Sequence, residues 1–286
     1  RGVPHDKHAE IAITKFTRLG LQAQHPYHAR PELPTQKTMQ PLNQYQPKAN
    51  ELHGRVILIT GATDGIGKAL AIAAANLGAQ VIAHGRNQKK LEAVANQVTD
   101  PATLPMALLP LDLEKAGPAE YEATVEAIEK NFSRLDGLVL NAAILGERAP
   151  IEHHDIPKWL RAMHVNTNAP FILTRHCLPL LKKSNDASIV FSSCDIATEA
   201  RAHWGPYLVS KWANEGMMRM LADELSNTKI RVNSFNPGIT DTKIRMQAFP
   251  AENRTAMQKP EAATKGYLFL LSSHSQGLTG QHINNS

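Results

Sequence analysis

The stretch Val56-Ile57-Leu58-Ile59-Thr60-Gly61-Ala62-Thr63-Asp64-Gly65-Ile66-Gly67 constrains this chain more than any other. Its four consecutive apolar residues read as a strand buried on both faces, as in parallel sheets. Three glycines follow, then an alanine-rich helix from Lys68 to Leu77 that ends near Gly78. Glycine is needed where backbone turns through positive φ, or where another group must approach without a Cβ in the way. The helix that follows offers free N–H groups and the positive end of its dipole. Strand, glycine loop and helix in this order form a phosphate-binding turn. Gly61, Thr63, Asp64, Gly65, Ile66 and Gly67 are therefore candidate contacts to a dinucleotide.

The same alternation continues along the chain. Val81–Ala83, Ala107–Leu111, Leu138–Leu140, Ser188–Phe191 and Ile230–Phe235 read as further strands. Between them, Lys89–Val98, Tyr121–Phe132, Trp159–Leu181 and Pro206–Leu225 read as helices. Repeated strand–helix units imply an α/β fold, a single doubly wound Rossmann-type domain whose parallel sheet is covered on both faces.

The formal net charge of +5 invites a nucleic-acid reading, but the charge is uneven. Of the 31 basic and 26 acidic residues, six and three fall in residues 1–38, so the remainder carries only +2. That argues against an extended phosphate-binding surface and against a nucleic-acid partner. The first 50 residues also hold six prolines, and only about His8 to Leu21 has helical spacing. Residues 1–38 are expected to be a disordered or non-native extension, with residues 39–286 forming the Rossmann-type domain. Met39 is an internal candidate start, leaving 248 residues. Two cysteines, Cys177 and Cys194, exclude a disulfide scaffold and suit a reducing, cytoplasmic setting. No apolar run approaches the ~20 residues of a membrane helix, so no membrane partner is expected. The histidines form no metal-ligand pattern, and no metal is expected.

The second strand ends in His84-Gly85-Arg86-Asn87. An acidic side chain here would accept hydrogen bonds from the adenosine ribose and repel a 2′-phosphate. The chain instead has Gly85 followed by Arg86, whose guanidinium can pair with that phosphate and stack on adenine. This favours NADP(H) over NAD(H) as cofactor.

Tyr207 and Lys211 open the long helix at spacing i, i+4, so phenol and ammonium share one face. A free tyrosine, with a pKa of ~10, exchanges protons poorly at neutral pH. A neighbouring cation favours phenolate and is expected to lower that value. Tyr207 then becomes a candidate general acid and base, with Lys211 beside it.

Taken with the glycine loop, in this order and spacing, these residues resemble the short-chain dehydrogenase/reductase family, in its branch of about 250 residues. The resemblance covers about residues 53–283. Ala202-His203-Trp204-Gly205-Pro206-Tyr207 and an expected turn at Glu215-Gly216-Met217-Met218 are most like YciK-type oxidoreductases.

The resemblance implies hydride transfer between the nicotinamide cofactor and a small carbonyl or alcohol substrate. It implies that Asp112 and Leu113 contact the adenine, and that Asn141 and Ala142 line the cofactor cleft. Lys211 would hold the nicotinamide ribose. Pro237, Gly238, Ile239 and Thr242 would orient the nicotinamide amide. Asn166 would support a water-mediated proton path to Lys211. Residues 243–258, with Ile244, Met246, Phe249 and Met257, would form a substrate lid, and Trp204 and Leu145 could help line the pocket. A homodimer or homotetramer is implied.

The family's substrate-oxygen serine stands thirteen residues before its tyrosine, which here is Cys194. Ser193 precedes it, and the two compete for the position. Spacing favours Cys194, and the stronger hydroxyl donor favours Ser193. The cysteine also motivates an alternative reading, a catalytically weak NADP(H)-binding regulatory protein.

Overall fold

The structure, a computed structural model, describes residues 42–98 and 103–285. The expected extension of residues 1–38, with its helical stretch, lies outside the described residues.

The strands are β1 (Val56–Ile59), β2 (Gln80–Gly85), β3 (Ala107–Pro110), β4 (Gly137–Leu140), β5 (Ala187–Ser192), β6 (Ile230–Asn236) and β7 (His282–Asn284). They form one sheet in the order β3-β2-β1-β4-β5-β6-β7, with every neighbouring pair parallel. The helices are α1 (Gly65–Asn76), α2 (Gln88–Ala95), α3 (Pro118–Phe132), α4 (Ile156–Met163), α5 (Ala169–Leu181), α6 (Gly205–Glu224), α7 (Lys243–Ala248) and α8 (Thr264–Leu271). The doubly wound architecture expected from the alternation is the one observed. Among the described residues, no helix is long and apolar enough to cross a membrane.

The pleat divides the core in two. Val56 and Leu58 pack with Leu138, Ile189 and Phe191 against α3, α5 and α6. Ile57 and Ile59 pack with Val139 and Val190 against α1 and α8. Apolar runs on the central strands are thus consumed on both faces, as a covered parallel sheet requires. The sequence reading contained neither α8, which covers one face of the sheet, nor β7, which forms its far edge.

Strand order reverses between β1 and β4. The chain runs outward through β2 and β3, then returns to the other side of β1. The crevice at the carboxyl ends of β1 and β4 is where ligands bind such sheets.

The expected Trp159–Leu181 helix is interrupted. A π-helical turn, His164–Asn168, separates α4 from α5. Pro170 supplies the cause: it has no N–H to give to Asn166, four residues earlier. The freed Asn166 carbonyl instead accepts from Asn214 Nδ2 at 2.9 Å. The expected turn at Glu215-Gly216-Met217-Met218 is also corrected, because these residues lie within α6.

Candidate active site

The loop after β1 is shaped by close backbone approach. Gly61 has φ +70°, and a Cβ on it would lie 3.0 Å from Ala142 Cα in the loop after β4. A Cβ on Gly67 would lie 2.3 Å from Gly61 O, so the start of α1 presses directly on the strand end. Thr60 ties the two loops together, since its Oγ1 accepts from Asn141 N at 2.9 Å and Ala142 N at 3.0 Å. Asn141 Nδ2 donates to Thr60 O at 3.0 Å. Asp64 caps α1 and accepts from Gly65 N at 2.8 Å. That cap leaves the Ile66 and Gly67 N–H groups at the positive end of the helix dipole.

His84 holds this loop from behind. Its Nδ1 accepts from Gly61 N–H at 3.4 Å, and its Nε2 donates to Leu111 O at 3.1 Å. A neutral ring with its proton on Nε2 satisfies both contacts. Burial pushes the His84 pKa down to about 4, keeping it neutral. The sequence reading gave His84 no role; its place at a strand end, beside Gly85, was the available signal.

At the end of β2, a Cβ on Gly85 would strike Thr63 Cγ2 at 2.5 Å, so glycine lets the loop after β1 lie against this strand. Arg86 is exposed and makes no hydrogen bond or ion pair among the described residues. Beyond β3, Asp112 Oδ1 accepts from Glu114 N at 3.2 Å, and Leu113 is buried. Glycine backbone, the Ile66 and Gly67 N–H groups and a guanidinium without an ion pair among the described residues stand at the carboxyl ends of the neighbouring strands β1 and β2, an arrangement that fits a phosphorylated dinucleotide.

Tyr207 and Lys211 stand on α6 facing the end of β5. Lys211 Nζ donates to Ser192 O at 2.6 Å and lies 5.5 Å from the Tyr207 ring centroid. The Cys194 thiol neighbours the Tyr207 phenol, and both pack against the same small apolar cluster. Ser193 is placed differently. Its Oγ donates to Glu215 Oε1 at 2.6 Å, so that hydroxyl is committed to Glu215. Of the two competing positions, Cys194 is the one beside the tyrosine.

The expected lowering of the tyrosine pKa is not what the protein alone produces. Burial, then the neighbouring Cys194, push the Tyr207 phenol well above its ordinary value. Burial pushes Lys211 down, against Cys194 and Glu215, which favour its charge. Burial also raises the Cys194 thiol.

Asn166 braces the site. Its Oδ1 accepts from Ile144 N and its Nδ2 donates to Ile144 O, both at 2.8 Å. Nδ2 also reaches Ser210 Oγ at 3.2 Å. Its side chain therefore couples the loop after β4 to α6.

Glu215 is the residue that sequence reasoning missed most clearly. It is buried, one helical turn beyond Lys211. Besides Ser193, it accepts from Ser234 Oγ at 2.8 Å and His282 Nδ1 at 3.0 Å. Burial opposes its charge, but the hydrogen bonds from His282, Ser193 and Ser234 outweigh it and hold the carboxyl below its usual range. Glu215 raises the His282 pKa in return.

The segment after β6 is the one expected to form a lid, and it includes α7. Pro237 O accepts from Asn285 Nδ2 at 3.2 Å, and Gly238 N donates to Asn236 Oδ1 at 3.0 Å. Ile239 is exposed. Thr242 caps α7 and crowds Gly65, whose Cβ would meet Thr242 Cγ2 at 3.3 Å. Ile244 and Phe249 pack with Leu145, Trp204 and Tyr207. Met246 does not join them. It lines a cavity of about 410 Å³ with Asp64, Gly65, Lys68 and Thr242, between α1 and the lid. Met257 is buried.

Residues 55–253 match the family model described as short chain dehydrogenase. The chain is 41% identical over 236 residues to the uncharacterized oxidoreductase YciK of Escherichia coli strain K12, covering 82% of this chain and 93% of that protein. A short-chain dehydrogenase structure from Pseudomonas syringae is 44% identical, with a TM-score of 0.83 over 85% of this chain and 98% of that one. A structure from Escherichia coli CFT073, complexed with NADPH, is 40% identical, with a TM-score of 0.81 over 83% of this chain and 99% of that one.

Proposed function

The chain belongs to the short-chain dehydrogenase family of oxidoreductases, and from that premise we propose that it moves hydride between NADP(H) and a carbonyl or alcohol substrate. The observation that carries this reading is Tyr207 on α6, beside Cys194 and one turn from Lys211, at the crevice lined by the glycine loop. The NADPH complex of a 40%-identical relative supports the cofactor choice, as does the unpaired Arg86 after Gly85.

When bound, NADP(H) supplies or accepts the hydride at its nicotinamide ring. Tyr207 gives its proton to the carbonyl oxygen during reduction and removes one from the alcohol during oxidation. Because burial raises its pKa, Tyr207 enters reduction already protonated. Cys194 donates its S–H toward the substrate oxygen, as a weaker donor than a hydroxyl. Lys211, anchored on Ser192 O, places its positive charge near the phenol. Asn166 holds the loop after β4 at a fixed distance from α6. The Ile66 and Gly67 N–H groups and Arg86 bind the phosphates, with Asp112, Leu113, Asn141 and Ala142 around the adenosine side and Pro237, Gly238, Ile239 and Thr242 at the amide side. Exposed Phe171 on α5 and Val209 and Met220 on α6 support pairing with a second copy.

The test is NADPH consumption across a panel of aldehydes and ketones. Wild type is expected to reduce at least one, and Tyr207→Phe to lose about 10²–10⁴-fold in turnover while still binding NADPH.

One observation favours a second reading. A thiol, not a hydroxyl, stands beside Tyr207. If NADPH binds but no carbonyl is reduced in a Tyr207-dependent way, the chain is a nucleotide-binding regulatory protein.

A further inference from the structure

The side chains packed around Tyr207 are apolar. Leu145, Ile196, Trp204 and Ala248 are buried there, with Ile244 and Phe249 of the lid packed against them. An exposed charged group borders this cluster. The Arg148 guanidinium, from the loop after β4, lies 4.7 Å from the Trp204 ring centroid and 5.5 Å from that of Phe249. Trp204 lies 6.2 Å from Tyr207, so a single ring separates the guanidinium from the phenol.

Lys211 is engaged by the Ser192 carbonyl, and three further charges nearby are paired. Arg245 lies 4.0 Å over Phe249 but pairs with both oxygens of Glu252, at 2.5 and 2.6 Å. Asp195 pairs with Arg201 at 3.6 Å, and Glu147 with Lys158 at 3.1 Å. Arg148 has no carboxylate within ion-pair distance among the described residues. Its one side-chain hydrogen bond there runs from Nη1 to the Ala248 carbonyl on the lid. A guanidinium has five donors in one plane. Stacking on aromatic faces holds that plane while leaving its N–H edge available for bidentate pairing with a carboxylate.

We infer that the substrate is a carbonyl compound bearing a carboxylate on an apolar stem, and that Arg148 receives the carboxylate. The inference rests on the oxidoreductase reading and names the substrate class of that same site. The apolar lining takes the stem, Tyr207 meets the carbonyl oxygen, and Arg148 fixes the far end. Because Arg148 also holds Ala248, the bound carboxylate and the lid share one anchor.

The experiment compares a short aliphatic ω-oxo carboxylate with its methyl ester, using the full chain and NADPH. The readout is the ratio of kcat/KM for acid over ester. Wild type is expected to favour the acid by about tenfold or more, the size of one charge-assisted hydrogen bond. Arg148→Met keeps an apolar stem of similar length and brings the ratio near unity. Arg148→Glu inverts it. Retained NADPH affinity in both variants shows that the fold is intact. A wild-type ratio at or below unity, or a preference that survives in Arg148→Met, overturns the inference.

If wild type reduces neither compound, calorimetric titration of the acid into NADPH-loaded protein decides. Binding that disappears in Arg148→Met upholds the carboxylate site and counts against hydride transfer. Absence of binding overturns the site as well.

Discussion

Lys211 Nζ donates to the Ser192 carbonyl at 2.6 Å, fastening the helix that carries Tyr207 to the strand end just before Cys194. The side chain expected to act on the cofactor ribose is therefore also a structural tie. Together with the Ser193–Glu215 and Trp212–Ile196 hydrogen bonds, it ties α6 to the segment that carries Cys194, so changes at the β5 end reach Tyr207 directly.

The first consequence concerns Cys194. Its thiol, not the Ser193 hydroxyl, is beside Tyr207. Cys194→Ser is expected to raise kcat, because a hydroxyl donates more strongly than a thiol. Cys194→Ala is expected to lower kcat by about 10²-fold, the scale seen when an oxyanion donor is lost. Ser193→Ala should act mainly on stability. Steady-state kinetics of the three variants check this.

Glu215 acts through its neighbours. It anchors Ser193 beside Cys194 and binds Ser234 and His282. Glu215→Ala leaves these buried donors without an acceptor. The expected result is a kcat lower by about tenfold with little change in NADPH affinity, and recovery in Glu215→Gln, whose amide oxygen still accepts. Loss of NADPH binding in parallel with kcat would instead mark a general structural failure.

Cofactor choice turns on Arg86. Arg86→Ala is expected to weaken NADPH binding by about tenfold or more and to leave NADH nearly unaffected, because only NADPH carries the 2′-phosphate. Equal NADPH and NADH affinities in wild type would remove the assignment. Titration of both nucleotides against both proteins measures it.

His84 makes stability depend on pH. Its folded pKa of about 4 is below the ordinary 6.5, so the unfolded chain takes up a proton that the folded chain does not. Stability is therefore complete above the ordinary value, falls as pH drops from there toward the folded value, and levels off below it. The loss from this one group is about 3 kcal/mol. His84→Leu should be less stable at neutral pH, since Gly61 N–H and Leu111 O lose their partner, but flatter over the acid range. Urea unfolding at a series of pH values compares the slopes.

The strands were readable because each is a short apolar run bounded by glycine or turn residues, and the alternation with helices fixed the sheet as parallel. The glycine loop and the Tyr207–Lys211 pair were readable because their chemistry depends on local spacing. What escaped depended on distant contacts. β7 is three residues long and its His282 and Asn284 are polar, so its pairing with β6 leaves no periodic trace. The break between α4 and α5 follows from Pro170 and from a carbonyl taken by Asn214, 48 residues later. Counting favoured Cys194 and donor strength favoured Ser193; the sequence did not show that the Glu215 carboxylate engages the Ser193 hydroxyl. Glu215 was expected in a turn, and Arg148 drew no reading at all. Their roles appear only once β6, β7 and the lid surround them.

Hydride transfer with Tyr207 as acid and base leaves an isotopic trace in the product. Its most direct test uses NADPH carrying deuterium at the transferring nicotinamide position, with mass spectrometry of the alcohol formed. One deuterium at the carbinol carbon is expected with wild type, and no product above background with Tyr207→Phe. Alcohol lacking that deuterium, or formed equally well by Tyr207→Phe, would contradict it.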